Sequence, residues 1–286
     1  MKKQKKSKVT ISQILDKKKN REKISMLTAY DYSISRICNE TELDIVLIGD
    51  SAATVMLGYD STRKIGMEEM MTYCKGVANA ITRQLIVADM PFGSYQTGIS
   101  DSVRNAFKFL RCGCDAVKLE GGWEIVDIIK NLTGLGVPVM GHIGLKPQTT
   151  PLHQGYGLQG KTAEDAVMLI REARALEEAG VFSIVLEKVT SEVSSVITQI
   201  VKVPIIGIGC GPYVDGQVLV IHDMLGLYND MEPKFVKKYT NMADQIFDVI
   251  QEYDNEIKSG KFPQEGHTYH MTEEEYAQLK KMLKRV

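Results

Sequence analysis

An eight-stranded (β/α)8 TIM barrel is the fold class this sequence predicts, and three observations predict it. Short apolar, β-branched runs alternate with amphipathic helical stretches through eight units over about 200 residues. No linker of shifted composition interrupts the series. The first run is not followed by the G-x-G-x-x-G turn that marks the competing doubly wound sheet.

The eight predicted strands are Ile24–Thr28, Asp44–Ile48, Leu85–Ala88, Ala116–Leu119, Pro138–Gly141, Phe182–Leu186, Pro204–Gly207 and Val218–His222. Continuous apolar runs of this length suit strands buried on both faces. Between them Asp101–Arg111, Trp123–Leu135 and Ala163–Ala179 read as amphipathic helices. The last places Val167, Ile170, Ala173 and Leu176 on one face. Gly113, Gly136 and Gly180 sit where helices must stop before the next strand, a position that favours glycine's left-handed conformation. Two stretches rich in Gly, Thr, Gln and Pro, Ser51–Gly66 and Ile143–Lys161, read as long loops of the kind that often serve as lids. Beyond the eighth strand, Lys234–Ile257 and Glu273–Arg285 read as a C-terminal helical extension, with Thr272 and Glu275 as a capping box for the second. Its stripe of Tyr276, Leu279, Met282, Leu283 and Val286 suits packing against the body or a neighbouring subunit. The domain reading is therefore a basic arm, residues 1–23, and one barrel domain, residues 24–286, that includes the C-terminal helices.

Composition bounds the function. The 286 residues are 44% apolar and 25% charged, which excludes disordered, collagen-like and coiled-coil classes. A net charge of −1 argues against binding nucleic acid or membrane through overall charge. The arm is the exception. It holds ten basic and two acidic side chains and reads as a solvated, frayed segment. No apolar run follows it of the length a signal peptide needs, and none approaches a membrane span. Five cysteines without a C-x-x-C pair point to a reducing, cytoplasmic setting. Cys112-Gly113-Cys114 reads as a helix-to-strand turn rather than a metal or redox pair.

The chemistry lies in what ends each strand. Asp50, Asp89, Glu120, His142 and Glu187 follow strands two to six in turn. Polar groups directly after buried apolar runs are costly unless paired or ligated, and in a barrel these five converge on the C-terminal mouth. Three carboxylates with no cysteine ligand suit a hard cation, Mg2+ before Mn2+, with positions left open for the oxygens of a 2-oxo acid. Lys118 shares an inward face with Glu120 by period-two alternation. It reads as a substrate-carboxylate ligand, a Schiff-base nucleophile, or an ion-pair partner of Glu120 or Asp89. Glu187 ends a very apolar run; a raised pKa would make it a general base or acid, and a salt bridge to Lys188 is its structural alternative. Gly207-Ile208-Gly209-Cys210-Gly211 lacks the spacing of a dinucleotide fingerprint and reads as a place of close backbone approach.

Ordered motifs from about Thr10 to His267 resemble one family. They include Leu27-Thr28-Ala29-Tyr30-Asp31, Gly49-Asp50-Ser51, Ala88-Asp89-Met90-Pro91-Phe92, Lys118-Leu119-Glu120-Gly121-Gly122, Gly141-His142-Ile143-Gly144-Leu145 and Ile221-His222-Asp223. This set looks like the ketopantoate hydroxymethyltransferases, barrel enzymes related to the phosphoenolpyruvate mutase and isocitrate lyase superfamily. The resemblance implies transfer of a hydroxymethyl group from 5,10-methylenetetrahydrofolate to 2-oxoisovalerate (3-methyl-2-oxobutanoate), giving 2-dehydropantoate on the way to pantothenate and coenzyme A. It implies Asp50, Asp89 and Glu120 at a Mg2+ ion, and Asp50, Ser51, Asp89, Lys118 and His142 around the oxo acid. It makes Glu187 the catalytic base and the assembly a homodecamer in the cytoplasm. The competing expectation is another 2-oxo-acid C–C lyase or aldolase on the same barrel. Lys146, Gln154, Thr190 and Cys210 depart from the family pattern. The charge at Lys146 is expected to favour a multiply carboxylated donor tail.

Overall fold

The computed structural model describes residues 7–150, 157–228 and 233–284. Eight parallel strands close in sequence order into a barrel, β1 Ile24–Thr28, β2 Ile45–Ile48, β3 Leu85–Asp89, β4 Ala116–Glu120, β5 Val139–Gly144, β6 Ser183–Glu187, β7 Ile205–Ile208 and β8 Gly216–Leu219. Seven match the predicted runs to within a few residues, and β1 matches them fully. The eighth is displaced. It begins at Gly216, two residues before the predicted start, and His222 lies in a helix instead. The cause is closure. Gly216 registers with Ile24 of β1, and a Cβ at Gly216 would sit 2.5 Å from the Ile24 carbonyl oxygen. A glycine that reads as a strand breaker is here what lets β8 reach β1.

The helices around the barrel are α2 Tyr32–Asn39, α4 Met67–Ala80, α5 Ile99–Cys112, α6 Val126–Gly134, α7 Ala163–Glu178 and α8 Ser191–Ile200, with short α3 Ala52–Val55 and α9 Ile221–Leu225. The predicted loop Ser51–Gly66 thus contains α3 and a 3-10 turn, Thr62–Lys64. Part of the second predicted loop, and Gln154 within it, lies outside the described residues. On α7 the buried face is Leu169, Ala173 and Leu176, whereas Val167 is exposed. Gly113, Gly136 and Gly180 all take positive φ, as helix stops require.

Strand parity builds two apolar layers. Outward residues such as Val46, Ile86, Val117, Val139 and Ile184 pack with the helices in the larger core. Inward residues Ile24, Met26, Ile45, Leu47, Val87, Ala116, Met140, Val185 and Val218 fill the barrel floor.

The basic arm is not frayed over its described part. Thr10 and Gln13 form a capping box for α1, Ile11–Lys19. Ile14 of α1 is fully buried among the floor residues. The positive charge has a partner that lies far away in sequence. Lys17, Lys8 and Lys18 pair with Asp44, Asp115 and Asp215 at 2.5, 2.6 and 2.8 Å. These aspartates precede β2, β4 and β8, and each also accepts a backbone N–H from the neighbouring strand, from Ser25, Ile86 and Ile205. The arm therefore closes the bottom of the barrel. Ile14→Ala is expected to lower the unfolding free energy by about 2–5 kcal/mol, read as a lower urea midpoint. An unchanged midpoint would mean that α1 does not plug the floor.

The chain divides into two compact units, one up to Tyr239 and one from Thr240, where the sequence reading places residues 24–286 in one domain. The second unit holds α10 Met242–Lys258 and α11 Glu273–Leu283. Residues Lys234–Asn241, predicted to open the first of these helices, are not helical where they are described. Thr272 caps α11 by accepting the Glu275 N–H at 3.3 Å. No helix among the described residues is long and apolar enough to cross a membrane.

Candidate active site

The parity that fills the floor with apolar side chains carries the chemistry to the mouth. On β3, Leu85 and Val87 point inward and Asp89 follows. On β4, Ala116 is followed by Lys118 and Glu120; on β5, Met140 by His142; on β6, Val185 by Glu187. Register then sets the neighbours: Asp89 lies beside Lys118, and Glu120 beside His142. Asp50 sits just past β2, and its own N–H donates to Asp89 Oδ2 at 3.0 Å. All the residues singled out at strand ends are thus brought together.

Asp50, Asp89, Lys118, Glu120 and His142 are only 2–6% exposed. So dense a buried charge cluster exists only because opposite charges interleave. Lys118 Nζ lies 3.1 Å from Asp89 Oδ1 and 3.1 Å from His142 Nδ1. His142 Nδ1 is 3.4 Å from Glu120 Oε1, and its Nε2 is 3.4 Å from Glu187 Oε2. Burial works against the Lys118 ammonium, but Asp89, Glu120 and Asp50 outweigh it and raise its pKa. Burial and Lys118 likewise oppose the imidazolium of His142, and Glu120 and Glu187 push it up to about 9. Burial raises Asp50 well above the carboxylate range, helped by the charges of Glu120 and Asp89; burial also raises Asp89.

Glu187 is held by the backbone around it. Its carbonyl accepts the Leu145 N–H at 2.8 Å, and a Cβ at Gly144, φ +91°, would strike that carbonyl. The next residue, Lys188, takes φ +48°, an uncommon conformation for a side chain of its size. The Glu187 carboxylate faces His142, with Oε2 3.4 Å from the ring Nε2. Ser51 Oγ lies 2.8 Å from the Tyr30 hydroxyl. The bare Gly49 makes room for it, since a Cβ there would lie 2.7 Å from Ser51 Oγ.

Three residues were not legible as site residues. Gln148 is the most connected. Its Nε2 donates to Asp50 Oδ2 at 2.8 Å and to the Met90 carbonyl at 3.1 Å, and its backbone N–H donates to Glu120 Oε2 at 2.9 Å. The Tyr95 hydroxyl bridges Gln148 Oε1 and the Glu120 carbonyl at 3.0 and 2.9 Å. Arg63 closes over this loop, donating from Nε to the Gln148 carbonyl at 2.6 Å, with its guanidinium over the Phe92 ring. A Pro-Gln pair in a long loop was the only signal available. Lys146 Nζ pairs with Glu124 Oε1 at 2.9 Å.

The donor set suits a divalent cation. Asp89 Oδ1 and Glu120 Oε1 are buried and face only Lys118 Nζ and His142 Nδ1, at 3.1 and 3.4 Å. Burial raises the pKa of both aspartates, with Glu120 adding to the rise and Lys118 opposing it. Among the described residues no three His, Cys, Asp or Glu side chains are grouped so as to hold a metal by themselves.

Fold and site together define a barrel enzyme with a carboxylate, lysine and histidine cluster at its C-terminal mouth. The sequence pattern of the ketopantoate hydroxymethyltransferases matches residues 8–265, and the chain belongs to that family. It is an enzyme of the hydroxymethyltransferase type. It is 44% identical to the 3-methyl-2-oxobutanoate hydroxymethyltransferase of Nitrosopumilus maritimus, over 96% of this chain and 98% of that one. It is 48% identical to that of Syntrophomonas wolfei, over 94% and 98%. Solved structures share the fold at low identity. The phosphoenolpyruvate phosphomutase of Streptomyces platensis subsp. rosaceus superposes with a TM-score of 0.60 at 14% identity, over 96% of this chain and 98% of that one. A phosphonopyruvate hydrolase complexed with oxalate and Mg2+ gives 0.59 at 11%, over 96% and 97%.

Proposed function

We propose that the chain transfers a hydroxymethyl group from 5,10-methylenetetrahydrofolate to 2-oxoisovalerate, giving 2-dehydropantoate. The observation that carries this reading is the placing of Lys118, the aspartates and Glu187 on one barrel mouth. Asp50 and Asp89 would hold one Mg2+ ion per subunit, with Glu120 as the third acidic group beside it. When bound, the ion supplies positive charge that polarises the keto group of the substrate. Lys118, charged and buried, would take the oxo-acid carboxylate, and Ser51 would orient it.

Glu187 then removes the proton from C3. The electrons left on C3 form a bond to the donor's methylene carbon. Both bonds from that carbon to the donor nitrogens break. Water supplies the new hydroxyl group and one proton to the donor nitrogens, and the C3 proton supplies the other. Lys118 and His142 hold positive charge near the keto oxygen as negative charge develops there.

The Schiff-base aldolase reading needs a neutral amine. Lys118 is instead kept charged by three carboxylates, which disfavours it. Turnover of the two substrates, run with EDTA and with borohydride, tests the choice. Product that is lost with EDTA, restored by Mg2+, and formed without a lysine adduct is expected. EDTA-resistant turnover with reduced adduct on Lys118 would overturn the reading.

Gln148 takes one oxygen of Asp50, leaving the other for the ion, and one oxygen of Glu120, whose second oxygen faces His142. Gln148→Ala is therefore expected to weaken Mn2+ binding about 10–100-fold, measured by electron paramagnetic resonance. Unchanged affinity would mean that the amide does not orient the ligands. The reading also takes the assembly as a homodecamer in the cytoplasm, and a light-scattering mass near that of one chain would reject the decamer.

A further inference from the structure

Ser51 stands at the N-cap of α3 but does not cap it. A serine in that position ordinarily turns its oxygen onto the backbone N–H groups of the first turn. Ser51 makes no such bond, and its own backbone, at φ −54° and ψ −16°, is already helical. Its hydroxyl is engaged elsewhere, by the Tyr30 hydroxyl at 2.8 Å. That contact joins two strand ends, since Tyr30 follows β1 and Ser51 follows β2. A Cβ at Gly49 would lie 2.7 Å from Ser51 Oγ and 3.7 Å from Asp89 Oδ2, so the serine hydroxyl stands beside the acidic cluster.

Tyr30 is 2% exposed. Its ring is held between Tyr73, edge-on with centroids 6.3 Å apart, and His222, at 5.5 Å. A buried phenol needs a partner for its O–H. Burial lifts its pKa far above the ordinary phenol value, so the hydroxyl keeps its proton. The Thr28 side chain is a second hydrogen-bond partner of the same hydroxyl. Thr28 Oγ1 in turn accepts the Ile221 N–H at 2.9 Å, where α9 begins after β8. Four polar groups thus cross the seam of β8, β1 and β2 in a line that ends at the mouth.

We propose that Tyr30 is a positioning residue for the acceptor, turning the Ser51 hydroxyl away from α3 and fixing its proton toward the anionic oxygens of a 2-oxo acid. The direction follows from the first group in the line. A backbone N–H only donates, so Thr28 accepts there and points its own proton at the Tyr30 oxygen. Tyr30 then donates to Ser51 Oγ, and Ser51 keeps its proton for the substrate. Donors aligned in series strengthen one another.

The choice of ligand rests on the transferase reading above. The test uses the full-length enzyme with Mg2+ and the variants Tyr30→Phe, Ser51→Ala and the two combined. Phenylalanine keeps the ring contacts and removes only the hydroxyl. Calorimetric titration with 2-oxoisovalerate, and with oxalate as a probe of the oxo-acid head, is expected to show affinity about three- to tenfold weaker in Tyr30→Phe. Ser51→Ala should lose at least as much. In the Ser51→Ala background Tyr30→Phe should change affinity by less than twofold, because the tyrosine acts only through the serine. C3 proton exchange at saturating 2-oxoisovalerate should stay within twofold of the wild type in Tyr30→Phe, since Glu187 is untouched. Unchanged affinity in Tyr30→Phe would overturn the proposal. So would an equal loss in the Ser51→Ala background, or a loss of exchange at saturation, because the hydroxyl would then be supporting the mouth as a whole. A wild type that binds oxalate with the same dependence on Tyr30 and Ser51, but does not bind 2-oxoisovalerate, would uphold the role of Tyr30 and contradict the substrate. Binding of neither ligand by the wild type would overturn both.

Discussion

Glu187→Gln is expected to lower kcat by about 10²–10⁴-fold, the range for loss of a positioned general base. The substitution keeps the size of the side chain and its place at the end of β6. It removes the only function the mechanism asks of it, acceptance of the C3 proton. KM for 2-oxoisovalerate should change little, because the carboxylate of that substrate is assigned to Lys118. Folding should also survive, since Glu187 is the most exposed of the cluster, at 17% of its side chain. An activity within threefold of the wild type would move the base to another group, of which His142, 3.4 Å away, is the nearest.

Lys118→Met is expected to damage both stability and binding. The side chain is 4% exposed, and its ammonium compensates Asp89, Glu120 and Asp50 at once. Removing one partner from a buried charge pair costs about 3–5 kcal/mol, because the charges left behind stay buried. The pH dependence has a definite sign. Asp50 and Asp89 already have raised pKa values, and loss of Lys118 raises them further. Carboxyl groups with raised folded pKa values stabilise the fold at low pH and lose that contribution as pH climbs through those values. The deficit of the variant against the wild type should therefore be smaller near pH 5 than near pH 8, in urea titrations at each pH. A deficit that grows on acidification would mean that Lys118 does not compensate these carboxylates. Mg2+ added to the variant should recover part of the lost stability by binding the same two aspartates.

The strand ends were legible because a parallel strand alternates its faces. Once Val87 and Ala116 face inward, Asp89, Lys118 and Glu120 must follow them, and the barrel closure does the rest. Gln148, Tyr95 and Arg63 were not legible for the opposite reason. They act from loops, and nothing in their local sequence fixes which carboxylate a loop amide will reach. The arm misled for a related reason. Its lysines look solvated until Asp44, Asp115 and Asp215, far apart in the chain, are brought beneath the barrel. The eighth strand was misplaced because apolar content favoured Val218–His222, whereas closure against β1 demanded the bare backbone of Gly216. Local pattern thus located what strand alternation controls and missed what long-range pairing decides.

In the proposed reaction this mouth activates C3 of a branched 2-oxo acid through Glu187. The most direct measurement is the loss of the 2-oxoisovalerate methine signal by proton NMR in D2O, with Mg2+ and without donor. Exchange is expected of the wild type, and exchange at least about a hundredfold slower of Glu187→Gln. Equal exchange by the two proteins, or none by the wild type, would contradict it.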